Sequence, residues 1–336
     1  MSILVQFDLF GEVEQKLEKR AERRAEGAAQ QPKPRPGPAS RRRLRVFVGN
    51  DPHRLAGEVA ENVIAAWFSH CGGNRMDIPL GTVAALSFLR EPLISDWLLT
   101  LEPAQLLPLL REIWGVQWMA RPDLIEVARP LHDWVEEDPD EYQLRAVQAV
   151  IHTAIYNGLF DLTAQDDPYE RSEADVLSPL LTGLRHKADK KWRGEYHTPP
   201  CVSDVMARVL VDSNRREPGM SVREPAIGSG GMFRSVAQQL RELNLDPHDF
   251  SWFGNDIDPL ATACAAVNAI VWDLGPKVAI WCGDSLADDG TAVDKALTER
   301  AAVIQHRNTV VEQALFEQKT RRLLHTLDQL LDGAAA

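Results

Sequence analysis

Apolar residues recur at three- and four-residue spacing through Leu55 to Phe68, Thr82 to Phe88, Ala104 to Trp114 and Gln143 to Tyr156. That period places them on one side of a helix and predicts an all-α domain over residues 46–192. Trp67, Trp97, Trp114, Trp118 and Trp134 fall on those apolar faces and read as core rather than as stacking platforms. The carboxylates of Glu136 to Glu141, interrupted by Pro139, have neither the spacing of a metal site nor that of an acid/base pair. They read as a solvated loop before the next helix.

After Trp192 the pattern changes. A turn-rich segment, Arg193 to Pro200, leads into an apolar helix from Val202 to Val211; Pro199 and Pro200 disfavour helix in the residues before them, and Thr198 is placed to cap that apolar helix. A short strand from Ser221, a glycine-rich turn and a helix through Leu240 come next. A second strand starts at Phe250 and ends in Asp256-Ile257-Asp258-Pro259, a helix covers Leu260 to Leu274, and a third strand, Lys277 to Trp281, runs into Cys282-Gly283-Asp284-Ser285. Strands alternating with helices predict a parallel sheet over residues 193–290. Residues 291–336 hold a long proline-free amphipathic run with Val293, Leu297, Val303, Val310, Val311, Leu315, Leu323, Leu327, Leu330 and Leu331, which suits one long helix or a helical pair. Such a stripe either covers a bare sheet edge or docks on a partner; covering is expected, because an open edge invites aggregation. The fold class is therefore α/β: a partial Rossmann-like sheet preceded by an all-α domain and followed by a long C-terminal helix.

Composition adds limits. The chain has 336 residues, 44% of them hydrophobic, and a net charge of -12, which disfavours nonspecific attraction to nucleic acid by the chain as a whole. No apolar run reaches the roughly 18–20 residues of a membrane span, and no secretory leader is visible, so the expected location is the cytoplasm. Cys71, Cys201, Cys264 and Cys282 lie far apart and form no metal-ligating pair. The charge is uneven: residues 1–45 carry Lys16, Lys19, Arg20, Arg23, Arg24, Lys33, Arg35, Arg41, Arg42, Arg43 and Arg45, a basic arm that reads first as solvated and otherwise as a phosphate contact. Pro32, Pro34, Pro36 and Pro38 mark an extended spacer within it. Gln6-Phe7-Asp8-Leu9-Phe10 is similar to the short peptides by which bacterial DNA-handling proteins dock on the replication sliding clamp, with Gln6, Leu9 and Phe10 as anchors; the other reading is an apolar patch packed on the protein itself.

The chemistry concentrates at three predicted strand ends. Glu224-Pro225-Ala226-Ile227-Gly228-Ser229-Gly230-Gly231-Met232-Phe233 is a strand, a glycine turn and a helix start, the minimal device for bringing backbone amides against a ligand. It is no P-loop, since Gly-Lys-Ser/Thr is missing. Glu224 beside the turn suits a cationic amino-acid group and would repel a pyrophosphate. Asp256 lies where a βαβ unit places an acid for ribose hydroxyls, Ile257 is placed to lie on an adenine, and Asp284 to accept from its exocyclic amine.

Gly194-Glu195-Tyr196-His197-Thr198-Pro199, the Glu224 to Met232 loop, Gly254-Asn255-Asp256-Ile257-Asp258-Pro259 and Gly283-Asp284-Ser285-Leu286 resemble, in order and spacing, the cofactor half of the adenine-N6 DNA methyltransferases, and most of all the modification subunit of type I restriction systems. Glu224 stands where that family usually has aspartate, and Ile227 where it often has cysteine. The resemblance implies a methyltransferase fold that binds S-adenosyl-L-methionine. Tyr196, Thr198 and Pro199 would close over the cofactor; Glu224, Ala226, Gly228, Ser229, Gly231 and Met232 would surround its methionine part; Asp256 would take the ribose, and Ile257 with Asp284 the adenine. It also implies DNA as a partner, with further subunits supplying target recognition. The family's catalytic element, Asn or Asp followed by Pro-Pro and an aromatic, has no counterpart: no proline follows Pro276, and Asn308 lies inside a helical pattern. The expectation is cofactor binding without methyl transfer by the chain alone. The alternatives are a non-catalytic cofactor-binding or assembly subunit of a DNA modification, defence or mobile-element system, and an interaction protein with a relic pocket.

Overall fold

The computed structural model describes residues 51–71, 75–90, 94–185, 198–211, 219–287 and 290–334. The basic arm with Gln6, Leu9 and Phe10, the proline spacer and Tyr196 lie outside the described residues. Residues 49–336 form one compact unit. Its first part is helical: α1 (Pro52–His70), α2 (Asp77–Leu86), α3 (Ile94–Leu98), α4 (Pro103–Ala120), α5 (Pro122–Val127), 3-10 turns at Arg129–Leu131 and Asp133–Glu136, then α6 (Glu141–Tyr156), α7 (Leu159–Thr163), α8 (Pro168–Arg171) and α9 (Leu177–Leu184). The second part is α10 (Pro200–Leu210), β1 (Ser221–Glu224), α11 (Gly231–Glu242), a 3-10 turn at Pro247–Asp249, β2 (Ser251–Asp256), α12 (Pro259–Val271), β3 (Val278–Cys282) and α13 (Ala292–Ala334). The molecule is thus a helix-rich mixed α/β fold with a small parallel sheet.

Local chemistry sets the helix starts. Asp51 accepts from the His53 amide at the head of α1, Asp140 forms a reciprocal capping box with Gln143 at α6, and Asp258 accepts from the Leu260 amide at α12. Thr198 does not cap α10: the residue before that helix is Pro199, which makes no side-chain cap, and Pro200 at the first position carries no N–H to satisfy. Trp67, Trp114 and Trp134 are buried as the periodicity predicts, whereas Trp97 on short α3 is 47% exposed.

The sheet order is β1-β2-β3, all parallel. Glu224 pairs with Gly254 and Asp256 with Cys282, so each strand's terminal acid is offset by two residues from the next and all three ends open on one edge. Helix α12 lies between this sheet and the helical layer, touching β2 and β3 on one side and α5 and α9 on the other. Ala261, Ala263, Ala265, Ala266 and Ala269 are all buried along it, small enough for neighbours to approach from every side. Its C-terminal carbonyls are capped by guanidinium groups: Arg171 Nε donates to Val271 O at 2.8 Å, Arg241 Nη2 to Trp272 O at 2.6 Å, and Arg121 Nη1 to Gly275 O just beyond at 2.9 Å. Arg171 and Arg121 thereby tie the helical layer to α12, and Arg241 ties α11 to it, beside the apolar core that the layers share.

Two surfaces differ from the sequence pattern. Helix α10 turns Ser203 and Ala207 inward against α11 and leaves Val202, Val205 and Val209 exposed, Val209 at 77%. Among the described residues no strand pairs with the outer edge of β1. The C-terminal run is a single 43-residue helix, not a pair, and it packs on α5 and β3, so covering holds on that side of the sheet only. Arg300 fixes it: Nε donates to Asp123 Oδ2 at 2.9 Å and to Val278 O at 3.0 Å, and buried Asp123 also accepts from Arg121 Nε at 3.1 Å. About two turns later Arg307 donates to Met119 O.

Replacing Asp123 by Ala leaves two guanidinium groups without their shared carboxylate. The expected loss of unfolding free energy is about 3 kcal/mol, the low end for a broken buried pair because both arginines reach water. Urea denaturation of Asp123→Ala beside the unmodified protein measures it.

Candidate functional site

The glycine turn is held by backbone geometry before any ligand is considered. Gly228 has φ +57° and Gly230 φ +98°, left-handed values that glycine adopts at little cost, and Gly230 caps α11 in that conformation. Ile227, between β1 and these glycines, is buried over β2: its amide donates to Asn255 O at 2.8 Å, and a Cβ on Gly254 would come within 2.3 Å of its Cδ1. Phe233, on the first turn of α11, meets Trp252 edge-on with ring centroids 5.1 Å apart. The loop is therefore seated on β2 from both ends.

Asp256 joins the two strand ends. Its Oδ2 accepts from the Gly228 amide at 2.8 Å and its Oδ1 from the Asp258 amide at 3.0 Å, so the carboxylate braces the loop after β1 and the turn after β2 together. A carboxylate has roughly four acceptor positions, and two remain for a ligand's hydroxyls. Beside it Glu224 is partly buried, and its Oε1 accepts from the Ala226 amide at 3.1 Å. Burial pushes the Glu224 carboxyl above its ordinary range; the Ala226 amide opposes that rise and the neighbouring Asp256 charge adds to it. Ile257 follows with 71% of its surface exposed, and Asp284, exposed after β3, accepts from the Leu286 amide at 2.9 Å.

The structure thus brings Glu224, Ala226, Gly228, Gly231, Met232, Asp256, Ile257 and Asp284 to one edge of the sheet. Thr198 and Pro199 are exposed at the head of α10, whose partner is α11. Ser229 is different: it is 3% exposed, and its hydroxyl donates inward to Asp175 at 2.7 Å. Asp175 and Asn268, both buried around it, were not singled out by the sequence pattern. An acid three residues before Ser178 is readable as a cap on α9, but nothing local announces its contact with the loop. Among the described residues no group of His, Cys, Asp or Glu is arranged to hold a metal ion, and no helix is long and apolar enough to cross a membrane.

The family model of the N-6 DNA methylases matches residues 179–319. The methylase subunit of the type I restriction enzyme MjaIX from Methanocaldococcus jannaschii is 31% identical over 103 residues, which is 31% of this chain and 17% of that subunit. The chain thus spans about a sixth of the length of the curated relative it matches. Among solved structures, the methyltransferase subunit of a type I restriction-modification system from Streptococcus thermophilus is similar with 12% identity and a TM-score of 0.41, over 72% of this chain and 61% of that one; a likeness at that level fixes neither fold nor function. The glycine loop, Asp256 and Asp284 all fall inside residues 179–319, the stretch that is similar to the N-6 DNA methylases.

Proposed function

We propose that this chain is the methyl-donor-binding part of a DNA adenine-modification system, and that on its own it binds S-adenosyl-L-methionine without transferring the methyl group. The observation that carries the reading is the pair of carboxylates flanking the glycine loop: Glu224, lifted by burial and by its neighbour, and Asp256, tied to the Gly228 amide. Two carboxylates in one partly closed edge favour a ligand with positive charge, and S-adenosyl-L-methionine carries it on both its sulfonium and its ammonium.

The residues present fit the cofactor. Glu224 takes the ammonium; Ala226, Gly228 and Gly231 let the methionine chain approach the backbone, and a Cβ at Gly228 or Gly231 would point into open space. Met232 flanks the same chain. Asp256 has acceptor capacity left for the ribose hydroxyls, exposed Ile257 offers an apolar face to the adenine, and Asp284 takes the exocyclic amine. Thr198 and Pro199 form the cover in this reading. Bound there, the cofactor supplies an electrophilic methyl group; the chain's own residues orient it and hold it at the strand ends.

The accepting base needs a polar group and a stacking aromatic, and no Asn or Asp followed by Pro-Pro and an aromatic occurs in these 336 residues. Those parts come from elsewhere in this reading, and the exposed apolar face of α10, with Val202, Val205 and Val209, is the surface that suits the polypeptide carrying them. A non-catalytic assembly subunit would use the same face and the same cofactor; it differs in that no added chain restores transfer.

Calorimetry is expected to show S-adenosyl-L-methionine binding by the purified chain, with no tritiated methyl transfer to DNA until the products of neighbouring genes are added. Methylated adenine made by the chain alone would sink the proposal, and no transfer with those products favours the assembly subunit. Val205→Glu combined with Val209→Glu should abolish the gain from the added proteins while leaving cofactor affinity within about twofold. Glu224→Gln should weaken S-adenosyl-L-methionine by about tenfold or more, the loss of one charge-assisted contact. The same change should raise the Tm of the ligand-free protein at pH 7. A carboxylate whose folded-state pKa is raised costs stability while ionised, a cost relieved as pH falls through that pKa, and glutamine removes it.

A further inference from the structure

Ser229 is gripped at both its side chain and its carbonyl by residues from two other elements. Its Oγ donates to Asp175 Oδ2 at 2.7 Å, and its carbonyl accepts from Asn268 Nδ2 at 2.9 Å. The same Asn268 nitrogen donates its second hydrogen to Asp175 Oδ1 at 3.0 Å, which closes a ring of three residues through the Ser229 backbone. The orientation of the Asn268 amide follows from its surroundings, because both neighbours of that nitrogen are oxygens that only accept. Asp175 Oδ1 also accepts from the Ser178 amide at 3.0 Å, so the ring is fastened to the first turn of α9 in the helical layer. Asp175, Ser229 and Asn268 are 9%, 3% and 4% exposed. Burial pushes the Asp175 carboxyl upward, while Ser229, Ser178 and Asn268 all donate to it and oppose the rise.

A serine between two glycines in left-handed conformations is otherwise the least constrained part of the turn, since glycine loses more conformational freedom on ordering than any other residue. Fixing Ser229 at both ends removes that freedom before a ligand arrives, and affinity gained by preorganisation comes from costs already met. We propose that Asp175, with Asn268, is a positioning residue for the cofactor: the helical layer, through Asp175, sets the conformation of the glycine loop that receives the methionine part. Asp175 lies outside the matched stretch 179–319, so the assignment comes from this chain's geometry. It rests on the reading that the loop holds S-adenosyl-L-methionine.

The test compares two ligands on the full chain by calorimetry: S-adenosyl-L-methionine, and 5′-methylthioadenosine, which keeps the adenine, ribose and sulfur and lacks the amino-acid part. Ser229→Ala, a small change that leaves Asp175 two of its three donors, should weaken S-adenosyl-L-methionine about tenfold and 5′-methylthioadenosine by less than twofold. Asp175→Ala should weaken the first ligand further. Asp175→Asn, which keeps an acceptor for both N–H donors and an amide for Ser229 Oγ, should restore affinity to within about threefold. Unchanged affinity in Ser229→Ala, equal weakening of both ligands, or an Asp175→Asn protein no better than Asp175→Ala would overturn the proposal. If the unmodified chain binds neither ligand, the cofactor reading fails by itself, and amide hydrogen exchange at residues 228–232 then decides: exchange about tenfold faster in Ser229→Ala supports the strut, and unchanged exchange overturns it.

Discussion

The carboxylate of Asp256 is the fastening on which the strand-end site depends. A three-stranded parallel sheet has its turns emerging on one edge with nothing in the ladder to hold them against each other. Asp256 does so by taking the Gly228 amide from the turn after β1 and the Asp258 amide from its own. Asp258 in turn caps α12 and forms a buried ion pair with Arg185 at the end of α9. A single side chain at the end of the central strand therefore connects the loop, the central helix and, through one more residue, the helical layer.

That layer is part of the site's construction and not merely its neighbour. Three arginines close the C-terminal end of α12, Asp175 and Asn268 close a ring around Ser229, and buried Arg234 reaches the Ser172 and Glu173 carbonyls while also pairing with Asp204 of α10. Each contact satisfies polar groups that burial would otherwise leave at a cost of about 1–3 kcal/mol apiece. Separating the helical layer from the sheet would strand the bonds of Arg171, Arg121, Asp175 and the Ser172 and Glu173 carbonyls together.

The strands, the helices between them and the acids at their ends were legible because each is written in a short stretch: a turn signal, a period of two or 3.6, and a carboxylate before a glycine or proline. Ser221 to Phe233 and Phe250 to Pro259 fall into place almost residue for residue. What lay beyond reach is contact between distant positions. Asp175 and Ser229 stand 54 residues apart, and Asp175 and Asn268 stand 93 apart, with no periodicity to link them. Helix α10 misled for another reason. Large apolar residues at helical spacing normally face the core, but α11 approaches so closely that only Ser203 and Ala207 fit between, and the valines are turned outward. Thr198 failed as a cap because the two prolines after it already start the helix without an N–H to satisfy.

Helix α13 continues far beyond Arg300 and Arg307. Arg300 and Arg307 bond it to neighbouring elements, and the helix runs 27 further residues to Ala334, roughly 40 Å at 1.5 Å per residue. Length of that order multiplies small rotations: one degree at Arg307 displaces the far tip by about 0.7 Å. Asp123 and the Val278 and Met119 carbonyls thus fix the angle at which the helix leaves the sheet, and small changes there are read out far away as displacement of its end.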